Sequence, residues 1–451
     1  MAASILAAAS TRTADACGSN ALLFNWSACV AFACCELATP KTLDEAAAII
    51  KRARHRLRVV GTAHSFSRVA DTDGVLLSLR GMPNAVHVLR DERTGTATAR
   101  CSANITYAEL CSQLHAEGVA LPSMASLPHI SVMGAVATAT HGSGDGNGCL
   151  STHVLEAHYL DGDGQRRSCG RSHDEFQLLL LGCLGVVVEL TLEVEPRPYE
   201  VRQDIYLGLP WEVVDARFDE LMGSAYSVSL FSRWDEVGGV EQLWRKQRVP
   251  AGGELEPAPQ SLFGARLADG PTHPLSGVDA SCCTSQGAPA GPWHERLPHF
   301  RAERDSSAQG DELQSEYFVA RAHAVAALRA LRALEVQSRG QLGRLLLVSE
   351  VRSVAADTLW MSPFGASASV GLHFTWRHDV AGVTAFLPVL EAALAPLDAR
   401  PHWGKLFTMA PARVRALYPA LPRYRELAMR VDPRGKFRGH GTFVDEVVFA
   451  P

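Results

Sequence analysis

Apolar residues recur three and four apart at Leu43, Ala46, Ile49, Ile50 and Ala53, the spacing that lines one face of a helix. Thr42 and Glu45 stand where a capping box opens such a helix. Lys51, Arg52, Arg54 and His55 crowd its end, where the helix dipole favours cations. The period then shortens. Residues 57–60 and 75–79 read as strands, and 86–89 with 96–101 as a hairpin around Asp91-Glu-Arg-Thr-Gly95. Thr106 and Glu109 cap a second helix, which Gly118 stops. Between 150 and 195 strands flank the turn Asp161-Gly-Asp-Gly164, followed by a helix over 174–181 and a strand-like run over 185–195. That turn has the first acids of a calcium loop but neither the later ligands nor the closing Glu, so it reads as a hairpin turn. Short strands alternating with helices place the chain in the α+β class.

The texture changes after Pro196-Arg-Pro198. Residues 250–298 hold 15 Gly or Pro in 49 positions, over twice the chain's average rate, and read as long loops. A helix follows over 321–337, with Val325, Leu328, Leu331 and Leu334 on one face, then strands over 344–353 and 369–376 and a helix over 380–397. The division expected is a tail over 1–23, a first domain over 24–196, a second over 197–400, and a segment over 401–451 returning to the first. The tail is rich in Ala and Ser with Arg12 and Asp15. It reads either as an organelle-targeting segment or as a loose end, which makes the expected location cytoplasmic or organellar.

Composition narrows the classes. With 451 residues, 47% hydrophobic and 20% charged, the chain can bury a large core in two or three domains. The 43 basic and 48 acidic residues form no concentrated basic footprint, so no nucleic-acid partner is expected. No unbroken run of 18 apolar residues occurs, so no membrane span is expected either. Eleven cysteines without a Cys-x-x-Cys argue against a disulfide framework and a zinc site, and for small buried hydrophobes in a reducing compartment.

Three features could carry chemistry. His64 sits on the small-residue loop Gly61-Thr-Ala-His-Ser-Phe66 after a strand, a usual place for ligands in α/β-type folds. Residues 131–148 are built of small side chains, with Gly at 142, 144, 146 and 148, and could bring backbone N–H groups against a flat or anionic ligand. Glu350-x-Arg352 and His373-x-Thr375 are pairs two residues apart, which on strands share a face. With Lys405 they would make a polar floor for a polyhydroxylated ligand. No Gly-x-Ser-x-Gly elbow, P-loop, Rossmann fingerprint or His-Glu-x-x-His is present, so no serine-hydrolase, triphosphate, dinucleotide or metal site is expected from motifs.

At these residues the chain resembles the FAD oxidoreductases of the vanillyl-alcohol oxidase type, and within them the alditol oxidases. The matching motifs are Val59-Val-Gly-Thr-Ala-His64-Ser-Phe, Met124-Ala-Ser126-Leu-Pro-His-Ile-Ser131-Val and Ala137-Thr138-Ala-Thr-His141-Gly-Ser-Gly. Further on come Gly291-Pro-Trp-His-Glu-Arg-Leu-Pro-His-Phe300, Glu350-Val-Arg352, His373-Phe-Thr375-Trp, His402-Trp-Gly-Lys405 and Asp432-Pro-Arg-Gly-Lys-Phe437. The resemblance implies a bipartite FAD-binding domain of two small α/β subdomains and a cap domain on an antiparallel sheet. It implies FAD linked covalently through His64, and a cofactor site of Gly61, Thr62, Ala63, Ser65, Ser126, Ser131, Gly134, Thr138, Ala139, Thr140, His141, Val187 and His402. Ser126, Glu350, Arg352, Thr375 and Lys405 match the substrate positions, with His373 beside them. The implied reaction passes a hydride from an alditol's terminal alcohol to flavin N5, with dioxygen reduced to hydrogen peroxide. Arg352 and Lys405 would stabilise negative charge, Glu350 would orient Arg352, and His373 or Lys405 would take the proton. An aldonolactone oxidase or dehydrogenase is the alternative within the superfamily, and a non-catalytic flavin-binding protein the alternative outside enzymes. Two positions depart from the pattern: Ala63 stands where several relatives carry Gly or Arg, and Arg-Gly-His-Gly follows Phe437 where Asn is usual.

Overall fold

The computed structural model describes residues 23–53, 56–234, 239–304, 310–365, 367–439 and 443–450. The tail expected at 1–23 therefore lies almost wholly outside the described residues, as do Arg54 and His55. Three sheets organise the rest, apart from a two-stranded pair near residue 23.

A small parallel sheet sets Val75–Leu77 between Glu36–Ala38 and Leu57–Val59. Its helix Leu43–Arg52 buries Ala46 and Ile50. Thr42 accepts from the Glu45 amide, but the Glu45 carboxylate reaches the Lys41 amide at 2.7 Å, so the box closes one residue early. A five-stranded antiparallel sheet runs Val86–Asp91, Thr96–Ser102, Val186–Val194, Val154–Leu160, Arg166–Gly170. Thr106 and Glu109 form the complete capping box of Tyr107–Ala116, and Gly118 follows with φ +70°. The turn at Asp161 is a hairpin turn: its carboxylate accepts from the amides of Asp163 and Gln165 at 2.9 Å.

The expected helix over 174–181 is instead a pair of tight turns. Leu180 is extended and Leu181 is left-handed at φ 64°, which breaks the ladder where five apolar side chains enter the core. Near the end of the chain the Leu57 amide donates to the Lys436 carbonyl at 2.6 Å, and Phe437 packs into the core beside Leu57.

The third sheet has ten strands, all drawn from residues 200–401. Its centre runs Glu200–Leu209, Val240–Arg248, Ser227–Ser232, Leu346–Val354, Ser369–Arg377, Glu312–Ala320. The strand expected at 344 begins at Leu346, because Gln341–Leu345 forms one more helical turn. The region 250–298 is less irregular than its composition suggests, since Ser261–Leu262, Ala265–Leu267 and Gly287–Pro292 add short strands to this sheet.

Strand alternation divides the sheet's faces. Leu313, Tyr317, Val351, Leu372, Phe374 and Trp376 pack under helices Trp211–Met222, Ala324–Gln337 and Val380–Leu394. Residues 380–397 have a mean hydropathy of 1.8 and the length of a membrane span. Five apolar side chains of this stretch, Val383, Phe386, Leu387, Leu390 and Leu394, belong to that core, and Glu391 within it bonds Tyr317 and Thr408. The opposite face carries the polar residues.

Candidate active site

Register puts three polar rows on that face. Glu350 pairs with His373, which pairs with Glu316; Thr375 lies between Val348 and Gln314; Arg352 lies beside Gly371 and Ser229. These residues floor a cavity of about 320 Å³, which extends to the loop after Leu57–Val59.

Glu316 is the hub. Its Oε1 meets the Arg352 guanidinium at 2.6 Å and His141 Nε2 at 3.2 Å, while Oε2 meets Lys405 Nζ at 2.9 Å. Burial alone would raise its pKa; Arg352, Lys405 and His141 together hold it well below the usual carboxylate range. Glu350 behaves likewise: burial opposes ionisation, and Arg352, His299 and His373 overcome it. Lys405 is pulled below the usual lysine value by burial, with Glu316 opposing. His373 is held neutral by burial and by Lys405.

The floor corrects one expectation. Glu350 Oε2 lies 3.6 Å from Arg352 Nε, whereas Glu316 makes the close bond, so Glu316 rather than Glu350 is the main holder of the guanidinium. Ser126 Oγ accepts from Arg352 at 3.4 Å. Gln314 gives its N–H to Glu312 at 2.5 Å and turns its oxygen to His373 Nε2 at 3.1 Å. That order of bonds puts a proton on Nε2 of His373 and leaves its Nδ1 lone pair free.

Sequence reasoning left out Glu316, Gln314 and Glu312. The signal was there: Glu312-x-Gln314-x-Glu316 is the same polar alternation that marked the other two strands. His299 was quoted in a motif without a role, and its Nε2 lies 2.8 Å from Glu350 Oε1.

The other end of the cavity is built of small residues. Among the described residues, no acceptor pairs with the amides of Gly61, Thr62, Ala63, His64 and Ser65. Such a row suits an anion such as a pyrophosphate. A Cβ on Gly61 would stand 2.0 Å from Ser131 Oγ, and one on Gly134 would stand 2.7 Å from it, so the backbone approaches as only glycine allows. Ala63 takes a left-handed φ of 57°, a conformation that favours the Gly of several relatives. His64 stacks on Trp26 with centroids 5.1 Å apart, and its buried Nδ1 has no partner among the described residues. Burial, with help from His129, lowers its pKa to about 4, so it is a neutral imidazole at pH 7.

Ser65, Ser126, Thr138, Thr140, His141, Val187 and His402 also line the cavity. Ala139 does not. It is fully buried with φ 53°, turning the chain so that its neighbours face inward. The glycines at 142 and 144 serve packing as well: a Cβ there would meet the Met124 carbonyl at 2.2 Å or the Tyr226 carbonyl at 2.4 Å.

Among the described residues, two clusters bring metal-ligand atoms within 4.8 Å of one another. In His141, Glu316 and His402 the carboxylate is already clasped by two cations, which a third would have to displace. In His273, Cys282 and Cys283, His273 Nδ1 accepts from the Leu275 amide, so the neutral ring carries its proton on Nε2 and lacks the ligand lone pair there. Seven of the ten described cysteines are buried, as expected; Cys35 is exposed, and Cys29 and Cys34 are half-buried.

Comparison with known proteins places this cleft and its charged floor in a flavin-dependent oxidoreductase. Residues 36–170 match the FAD binding domain family and residues 310–447 the D-arabinono-1,4-lactone oxidase family. An alditol oxidase of Streptomyces sp. is 42% identical over 417 residues, covering 92% of this chain and 96% of that protein. The chain therefore belongs to the alditol oxidase family of FAD-dependent oxidases. More distant are the L-gulono-1,4-lactone dehydrogenase of Mycobacterium tuberculosis and the L-gulonolactone oxidase of Mus musculus, 25% and 24% identical, each over 87% of this chain and 92% and 90% of theirs. The fold is that of cholesterol oxidase from B. sterolicum, with a TM-score of 0.73 at 14% identity over 94% of this chain and 96% of that one.

Proposed function

We propose that this protein oxidises the terminal primary alcohol of an acyclic alditol, such as xylitol or sorbitol, to the aldose, with dioxygen as electron acceptor. The observation that carries the reading is the three-strand floor on which Ser126, Glu350, Thr375, Arg352 and Lys405 converge on one cavity. FAD, when bound, supplies the hydride acceptor and passes the electron pair to dioxygen, giving hydrogen peroxide. His64 is its covalent anchor in this proposal, supported by a neutral imidazole whose buried Nδ1 has no partner among the described residues.

The chain's own groups do the rest. Glu350 accepts from a substrate hydroxyl, and Ser126 and Thr375 bond others. Arg352 and Lys405, fixed by Glu316, stabilise the negative charge that develops on the reacting oxygen. The hydroxyl proton goes to His373, whose Nδ1 lone pair the Gln314 bond leaves free, or to Lys405 beside it. The family match over residues 310–447 supports a second reading, a lactone oxidase. An absorption spectrum before and after acid precipitation tests the cofactor and its tether, and steady-state rates with xylitol against gulono- and galactono-lactones test the substrate. A clear lactone preference replaces the first reading with the second.

A further inference from the structure

Behind the floor lies a buried lysine that the reaction as described does not use. Lys246, on strand Val240–Arg248, is 2% exposed. Its Nζ donates to the carbonyls of Leu297 and Pro298 and lies 3.0 Å from His299 Nδ1, and burial lowers its pKa to about 7, with Glu350 opposing. The His299 ring is wedged between Phe231 and Trp244, with centroids 5.7 and 5.1 Å away, and its other nitrogen meets Glu350 Oε1 at 2.8 Å.

Hydrogen-bond polarity follows from this order. In its protonated form Lys246 has no lone pair, so His299 Nδ1 accepts from it. The ring proton then sits on Nε2 and is given to Glu350. The carboxylate is thereby an acceptor at Oε1; its Oε2 lies 3.6 Å from Arg352 Nε, and Glu350 lines the cavity. Without the ammonium, the imidazole is free to take the other tautomer, and its bare Nε2 would then meet a carboxylate oxygen. Glu350, still held ionised by Arg352, would then have to turn away from the ring.

We propose that Lys246 is a positioning residue for the polyol site: through His299 it keeps Glu350 a hydrogen-bond acceptor, and so sets the requirement for a free hydroxyl at that place in the substrate. The inference rests on the alditol reading above. A site built to accept a hydroxyl proton strongly rejects the analogue that lacks one, because its buried acceptor is left unpaired.

The test uses the FAD-loaded enzyme and the variants Lys246→Met, His299→Gln and the double variant. Xylitol and its mono-O-methyl ethers are compared by kcat/KM and by the split between kcat and KM. Lys246→Met is expected to lower kcat/KM for xylitol by at least about tenfold, mostly through KM, and to shrink the preference for xylitol over the ethers. A glutamine at 299 presents an N–H to Glu350 whether or not Lys246 is there. In the His299→Gln background the loss of Lys246 is therefore expected to cost less than about twofold. An equal cost in both backgrounds overturns the proposal. Should His299→Gln fail to fold, an unchanged preference in Lys246→Met alone overturns it. Failure of the alditol reading looks different, since no polyol would then reduce the flavin of the unmodified enzyme.

Discussion

The carboxylate of Glu316 and the guanidinium of Arg352 meet at 2.6 Å on neighbouring rows of one sheet face, with both residues at least 95% buried. Lys405, from a loop after the sheet's last strand, closes on the other carboxylate oxygen. One acid thus aligns two cations, and with the ionised Glu350 beside Arg352 the two acids and two bases of the floor balance in charge.

Glu316→Gln tests that arrangement. The amide keeps the shape but loses the charge that aligns Arg352 and Lys405. Flavin reduction by xylitol is expected to slow by at least about 100-fold, the usual scale for losing a preorganised stabiliser. Rapid-mixing absorbance reads this directly, and a rate within tenfold of the unmodified enzyme contradicts the role.

His64→Ala separates tether from binding. The variant is expected to retain yellow colour after gel filtration and to release its flavin into the acid supernatant, whereas the unmodified enzyme keeps flavin in the precipitate. Flavin released equally from both removes the covalent link from the account.

Gly61→Ala puts a methyl 2.0 Å from Ser131 Oγ. The flavin-to-protein ratio is expected to fall below half, and Ser131→Ala added to it to restore part of the loss. A fully loaded Gly61→Ala enzyme would show that the close approach is not needed.

Acid sensitivity follows from buried neutral imidazoles. Burial lowers His153 and His299 to about 4, against about 6.5 in an unfolded chain. Because the folded values are the lower ones, the unfolded state binds more protons between these limits, and stability falls as pH drops from 6.5 towards 4. Each group costs roughly 2 kcal/mol at pH 5. Urea midpoints at pH 7 and pH 5 check this; equal midpoints contradict it.

Much of this was legible before any coordinates. The Thr106 cap, the Gly118 stop and the central strands follow from local patterns, because capping and alternation act over a few residues. The floor was half legible: two strands announced themselves as Glu-x-Arg and His-x-Thr, while Glu312, Gln314 and Glu316 went unmarked. What makes those residues matter is register with Ser369–Arg377, a pairing across some 55 positions that no local pattern encodes. The kink at Leu181 and the inward turn at Ala139 escaped for a related reason, since tertiary packing holds both in left-handed conformations that their residue types disfavour. Lys246 was invisible in the same way: a lysine in a strand reads as a solvated side chain until the loop 297–299 closes over it.

The most direct measurement is anaerobic mixing of the purified yellow enzyme with xylitol while the flavin absorbance is followed. Loss of the oxidised spectrum within seconds, with return of colour and one hydrogen peroxide per turnover on admitting oxygen, is the result this account predicts. A flavin that stays oxidised under xylitol and sorbitol alike would contradict it.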